Sequence, residues 1–227
     1  MDALANAAWH ALTGPNADVA ERHGGAARYD PDVSVFSAME TPDDDGWRDL
    51  ADVIGPGGVA VLFREGGFQA PDGWQNVYGG TGVQMVLERE LDDNALPDGT
   101  RPLTTDDVPA MTELIEIAEP GPWRPRTIEL GNYHGVFEGD RLLAMAGQRM
   151  TLPNHVEISA VCTHPDARRR GYAAALTTHV ARLILADGRT PMLHVAKHNT
   201  GAQRVYAALG FVLRREVSYQ GFQAPGG

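Results

Sequence analysis

Apolar positions recur three and four residues apart in four stretches of the chain. Leu4, Ala8, Ala11 and Leu12 make one set, and Met111, Leu114, Ile115 and Ala118 a second. Leu176, Val180, Leu183 and Ile184 make a third, and Ala202, Val205, Tyr206 and Leu209 a fourth. Such spacing gathers each set on one face, so four amphipathic helices are predicted. Thr105 or Asp106 can cap the second helix, and Pro109 is tolerated because it falls in the first turn. The third opens after Gly171 and stops at Asp187-Gly188, and the fourth opens at Asn199 and closes at Gly210.

Extended stretches rich in β-branched and apolar residues predict strands at Val59–Phe63, Val83–Leu87, His155–Thr163, Pro191–Val195 and Phe211–Tyr219. Tyr133–Phe137 and Arg141–Met150, joined by Glu138-Gly139-Asp140, predict a hairpin. Glu119–Pro125 is predicted to be an irregular loop, and Gly66-Gly67, Pro71-Asp72-Gly73 and Gly79-Gly80 read as turns. The Leu96-Pro97-Asp98-Gly99-Thr100 run suggests a boundary. It divides a small α+β domain at 1–97 from a second domain at 98–227. The second has the element order β-α-β-β-β-α-β-α-β around a mixed sheet, an α/β arrangement.

Charge follows the same division. Residues 1–100 hold 18 Asp and Glu against 5 Arg, a net of −13, whereas residues 101–227 hold 12 against 13 Arg and 1 Lys, a net of +2. The acidic half is a poor partner for nucleic acid, whose binding rests on phosphate neutralisation. It suits cationic acceptors, and it equally suits plain solubility. No apolar run approaches the roughly 18 residues of a membrane span. The first residues carry Asp2 and no early Lys or Arg, which is no secretory signal, so a cytosolic protein with no membrane partner is expected. A single cysteine, Cys162, excludes an internal disulfide and a cysteine-rich metal site. Gly80-Thr81-Gly82 lacks the third glycine of a dinucleotide fingerprint, and the only lysine, Lys197, lies in no phosphate-binding loop of the G-x-x-x-x-G-K type.

Arg168-Arg169-Arg170 precedes the third helix. Cations are unfavourable at a helix N-terminus, which carries about +0.5 charge. The arrangement makes sense when an anion docks there, met by free amides, the dipole and the guanidinium groups together. Gly171 and the small Ala173 let a phosphate approach the backbone closely. The plain structural reading is a solvated arginine loop.

The run Val161-Cys162-Thr163-His164-Pro165-Asp166-Ala167-Arg168-Arg169-Arg170-Gly171-Tyr172-Ala173 resembles the acyl-CoA-binding motif of the GNAT superfamily of N-acetyltransferases. In that motif a strand leads through [RQ]-x-x-G-x-[GA] into a helix, and Arg168, Gly171 and Ala173 fill its positions. A second signature, N-x-x-A-x-x-x-Y-x-x-L-G-F, is met by Asn199, Ala202, Tyr206 and Leu209-Gly210-Phe211. Gly121-Pro122-Trp123, Ala144-Met145-Ala146-Gly147 and Glu157 to Thr163 resemble a bacterial subgroup of predicted acetyltransferases. The resemblance covers about residues 101–220. It implies a mixed, splayed sheet flanked by helices, preceded by a degenerate GNAT-like lobe or a family-specific cap.

The resemblance implies acetyl-CoA as cosubstrate and a primary amine as acceptor, with no metal. Its pantetheine arm would lie between His155–Thr163 and Pro191–Val195, paired with amides of Val161, Cys162 and Thr163. Its pyrophosphate would meet amides of Arg168, Arg169, Arg170, Gly171, Tyr172 and Ala173. Asn199 would bond the pantetheine or cap the helix, and the two are compatible. Tyr206 would be the general acid; on spacing alone it is equally a core residue. Glu157, four residues before Val161, is the candidate base, with Glu129 a distant second and a solvent-facing strand residue the plain alternative. Cys162 and His164 share a strand face without a third orienting group, so a packed cysteine is expected in place of a nucleophile. His194 and His198 have zinc spacing only if helical, and they straddle a strand end. Two other functions stay open beside N-acetylation: a non-catalytic acyl-CoA-binding module, and O-acylation on the same scaffold.

Overall fold

The computed structural model describes residues 2–92 and 95–226. A 3-10 turn, Ala3–Asn6, runs into α1 (Ala7–Leu12), and a small antiparallel sheet follows in the order β1 (Ala20–His23), β2 (Ala26–Tyr29), β3 (Ser37–Met39). Helix α2 (Asp44–Ile54) buries Trp47, Leu50 and Val53. Its start is set by Asp43, whose carboxylate accepts from the Gly46 amide at 2.9 Å.

The remaining elements are β4 (Val59–Arg64), β5 (Gln75–Leu87), β6 (Thr100–Pro102), α3 (Val108–Ala118), β7 (His134–Glu138), β8 (Arg141–Thr151), β9 (His155–Thr163), α4 (Tyr172–Ala186), β10 (Thr190–Ala196), α5 (Thr200–Ala208) and β11 (Phe211–Gln223). Eight of these strands form one mixed sheet in the order β4-β11-β5-β10-β9-β8-β7-β6. From β6 onward the element order is the predicted one. The expected Thr105 and Asp106 fall in a 3-10 turn, Thr105–Asp107, that leads into α3; the Thr104 amide donates to the Asp107 carboxylate at 2.8 Å in a capping box on that turn, and Asp107 is the N-cap of α3.

The large sheet draws on both sides of residue 97: β5 lies inside it, paired with β11 on one side and β10 on the other. Residues on both sides of 97 therefore share one core: Leu12, Phe36 and Val86 pack with Met150, Leu152 and Met192. Gly79 and Gly80 are not a turn but the middle of β5. A Cβ on Gly80 would overlap the Tyr219 ring of β11, so glycine is required by close approach rather than by a bend.

Strand alternation sends neighbouring residues to opposite faces. Val86 and Met192 face α1, while Met85, Leu87 and Leu193 face α4 and α5. Met145 and Cys162 face α3, and Ala144 and Ala146 face α4. Gly147 on β8 sits against the Tyr133 ring, where any side chain would collide. Gly147→Ala is expected to cost about 1–3 kcal/mol by overpacking, read as a lower urea midpoint at unchanged slope. Among the described residues, no helix is long and apolar enough to cross a membrane.

Candidate active site

The centre of the sheet is open. Parallel strands β9 and β10 pair only where Thr190–Met192 meet His155–Glu157, and then they part. The cause is local to β9. Ala160 has φ +51°, and the β8 ladder steps from Met145↔Cys162 to Gly147↔Ser159, so β9 carries one extra residue there. A bulge of this kind bends its strand and ends regular pairing. Beyond it, β9 is held by β8 alone and β10 by β5, through Met192–Ala196 against Val86–Gly82.

The gap is lined by polar groups without protein partners. The backbone from Ile158 to Thr163 has no ladder partner on β10. The Thr163 hydroxyl is buried and unpaired among the described residues. Tyr206 of α5 is buried against Phe211, with ring centroids 6.1 Å apart, and its hydroxyl makes no hydrogen bond among the described residues. Burial pushes its phenol up to about 12, so the proton stays on at neutral pH. Asn199 caps α5, its side chain accepting from the Ala202 amide at 3.1 Å.

At the end of β9 the chain makes a phosphate-sized cradle. His164 Nδ1 accepts from the Asp166 amide at 3.2 Å and caps a short 3-10 turn, Pro165–Ala167. Arg169 (φ +64°) and Gly171 (φ +81°) are both left-handed, and no side chain caps α4. The first-turn amides of α4 are thus free to meet an anion. Arg168 and Arg169 are exposed, while Arg170 donates to the Asp166 carbonyl at 3.3 Å and lies 3.6 Å from Glu138. These features fit a coenzyme A molecule: an unpaired strand edge and orphan hydroxyl for an amide-rich arm, and a cationic amide cradle for a diphosphate.

Glu157 requires a correction. It does not border an open groove; it is completely buried. Arg149 of β8 grips its carboxylate through Nε at 2.8 Å and a terminal nitrogen at 2.6 Å, and His194 Nδ1 lies 2.8 Å away. Burial alone would raise the carboxyl, but the Arg149 charge and these hydrogen bonds hold it well below the ordinary carboxylate range. A carboxylate so held is a poor direct base. The tautomer of His194 follows from its neighbours. Gln84 Nε2 donates to the Leu4 carbonyl at 2.9 Å, which sets the amide orientation. The same nitrogen lies 3.1 Å from His194 Nε2, so Nε2 accepts and Nδ1–H donates to Glu157. Arg149 and Gln84 escaped sequence reasoning, which weighed His194 only as a zinc ligand. The only signal was polar residues within otherwise apolar strands.

The other candidates are dispersed. Glu129 is bound at both oxygens by Arg126, each at 2.8 Å. Cys162 is packed in the core under α3, and burial pushes its thiol up to about 12, which suits a packed residue and not a nucleophile. His164 serves the turn described above and contacts Arg141. His194 is committed to Glu157, and His198 is exposed in the turn before α5.

The large mixed sheet flanked by helices matches the structures of GNAT-type acetyltransferases, a fold that supports acyl transfer. The chain belongs to the GNAT family. It is similar to a GNAT-family structure from Novosphingobium aromaticivorans over 100% of both chains, with a TM-score of 0.90 and 31% identity. Residues 133–219 match the family model described as FR47-like protein. A GCN5-related N-acetyltransferase from Kribbella flavida shares the fold at TM-score 0.65 and 16% identity, over 96% of this chain and 94% of that one. A GCN5-related N-acetyltransferase-like protein from Streptococcus suis does so at 0.54 and 17%, over 96% and 92%. No curated protein matches the chain.

Proposed function

We propose that the protein transfers an acetyl group from acetyl-CoA to a primary amine by direct attack, with no covalent enzyme intermediate. The observation that carries this reading is the gap between β9 and β10, edged by unpaired backbone and closed at one end by the uncapped start of α4. Amides of Val161, Cys162 and Thr163 hold the pantetheine arm, and one of them polarises the thioester oxygen. Asn199 lies at the α5 end of that arm. The amides from Arg168 to Ala173, with the side chains of Arg168 and Arg169, take the diphosphate. Tyr206 donates its proton to the departing sulfur. Glu157 is a positioning residue: with Gln84 it fixes the ring of His194, one partner at each nitrogen.

Arg168→Glu is expected to weaken acetyl-CoA binding at least tenfold and to flatten its salt dependence, measured by titration calorimetry at two ionic strengths. Unchanged affinity removes the phosphate assignment. Release of CoA over a panel of amines and alcohols then decides the activity. Release with amines supports N-acylation, release with alcohols alone makes the protein an O-acyltransferase, and binding without release makes it a binding module.

A further inference from the structure

We propose that a cavity between the N-terminal sheet and β4 binds a small amine that carries a carboxylate, which makes amino-acid-like molecules the acceptor class. This rests on the acyl-transfer reading and narrows it.

The cavity has a volume of about 220 Å³. That is below the roughly 300 Å³ at which drug-sized sites begin, and it suits a molecule of amino-acid size. The first hundred residues carry a net charge of −13, yet the charged residues lining this space are two arginines, Arg28 and Arg124, with no carboxylate. The acidic half as a whole would draw cations; this cavity would repel them. Arg28 gives Nε and one terminal nitrogen to Glu21 at 2.9 and 2.8 Å. Its other terminal nitrogen has only the Ile54 carbonyl, at 3.5 Å. Arg124 donates to the Trp123 carbonyl at 3.0 Å and has no carboxylate partner among the described residues.

Hydroxyl groups complete the polar side. Ser34 and Ser37 are 6% and 2% exposed, and neither side chain makes a hydrogen bond among the described residues. Both residues line the cavity, and a carboxylate there would accept from their hydroxyls while meeting the guanidinium groups. Val35 and Ile54 supply an apolar wall for a short side chain.

Tyr29 links the cavity to the Glu157 network. Tyr29 forms one wall, and its buried phenol feels the charges of Glu157 and Arg149. Val61, another wall, is bridged to Phe36. The Phe36 ring packs on Phe63 at 5.3 Å, and Phe63 packs on His194 at 4.9 Å. An anionic head held by the arginines therefore lies across Tyr29 and Phe36 from the residues that orient His194.

Titration calorimetry on the full chain tests this with three pairs of probes: L-alanine and ethylamine, L-valine and isobutylamine, L-leucine and isopentylamine. At least one amino acid is expected to bind tenfold or more tightly than its decarboxylated partner. Arg124 is on an irregular loop and in no ion pair among the described residues, so Arg124→Gln should fold, with melting temperature as the check. That variant is expected to erase the preference, and Ser37→Ala to reduce it. No preference in any pair, or one that survives Arg124→Gln, overturns the proposal. So does an amino acid that binds but is not acetylated while plain amines are. The acetyl-CoA titration above does not involve this cavity, so failure there with a carboxylate preference here would count against acyl transfer alone.

Discussion

Tyr206→Phe is expected to lower kcat by about a hundredfold or more while leaving acetyl-CoA affinity unchanged, in the range that loss of a general acid produces. The expectation comes from what the hydroxyl lacks. It makes no hydrogen bond among the described residues, although Tyr206 is only 9% exposed. A hydroxyl without a protein partner is free to serve a ligand. Burial pushes its phenol up to about 12, so the hydroxyl is protonated at neutral pH and can donate a hydrogen bond to the charge that develops on the departing sulfur. Phenylalanine keeps the ring and its packing on Phe211, and stability should change by no more than about 0.5 kcal/mol. Steady-state kinetics beside a calorimetric titration separates the two effects. A turnover number within twofold of wild type would make Tyr206 a core residue only.

The second half of the chain was legible because its elements carry strong periodicity and clear ends. Helix α4 is entered through Gly171 and α5 through Asn199, and both lie where the pattern put them. The first half was harder for stated physical reasons. Strands β1 to β3 have four, four and three residues with few β-branched side chains. Helix α2 begins in Asp43-Asp44-Asp45-Gly46, residue types of low helix propensity, although Asp43 is its cap. The glycines of β5 mimic turn residues because their use is to admit Tyr219, a neighbour 139 positions away, which no local pattern reveals. At the site, the backbone features lie in consecutive residues and could be read. The partner of Glu157 could not, because the register that brings Arg149 beside it is irregular between Gln148 and Thr151.

That buried pair carries the largest expected effect on stability. Glu157→Gln leaves the Arg149 guanidinium, whose side chain is 12% exposed, without a counter-charge. Removing one member of such a pair typically costs about 3–5 kcal/mol. His194 loses its carboxylate acceptor in the same change. Urea unfolding should therefore show a midpoint shift comparable with a large share of a domain's total stability. The double variant Arg149→Met with Glu157→Leu should recover most of the loss, because matched apolar replacements avoid the stranded charge. A double variant as unstable as the single one would mean that shape, and not charge, is what the pair supplies. Acid sensitivity follows with a definite sign. The folded carboxyl lies below its unfolded value of 4.5, held there by Arg149 and His194 against the upward push of burial. Its contribution is present in full above pH 4.5 and fades as pH falls toward the folded value. Below pH 4.5 the wild-type curve should thus drop more steeply than that of Glu157→Gln. Parallel curves would show that Glu157 is not held charged in the native protein.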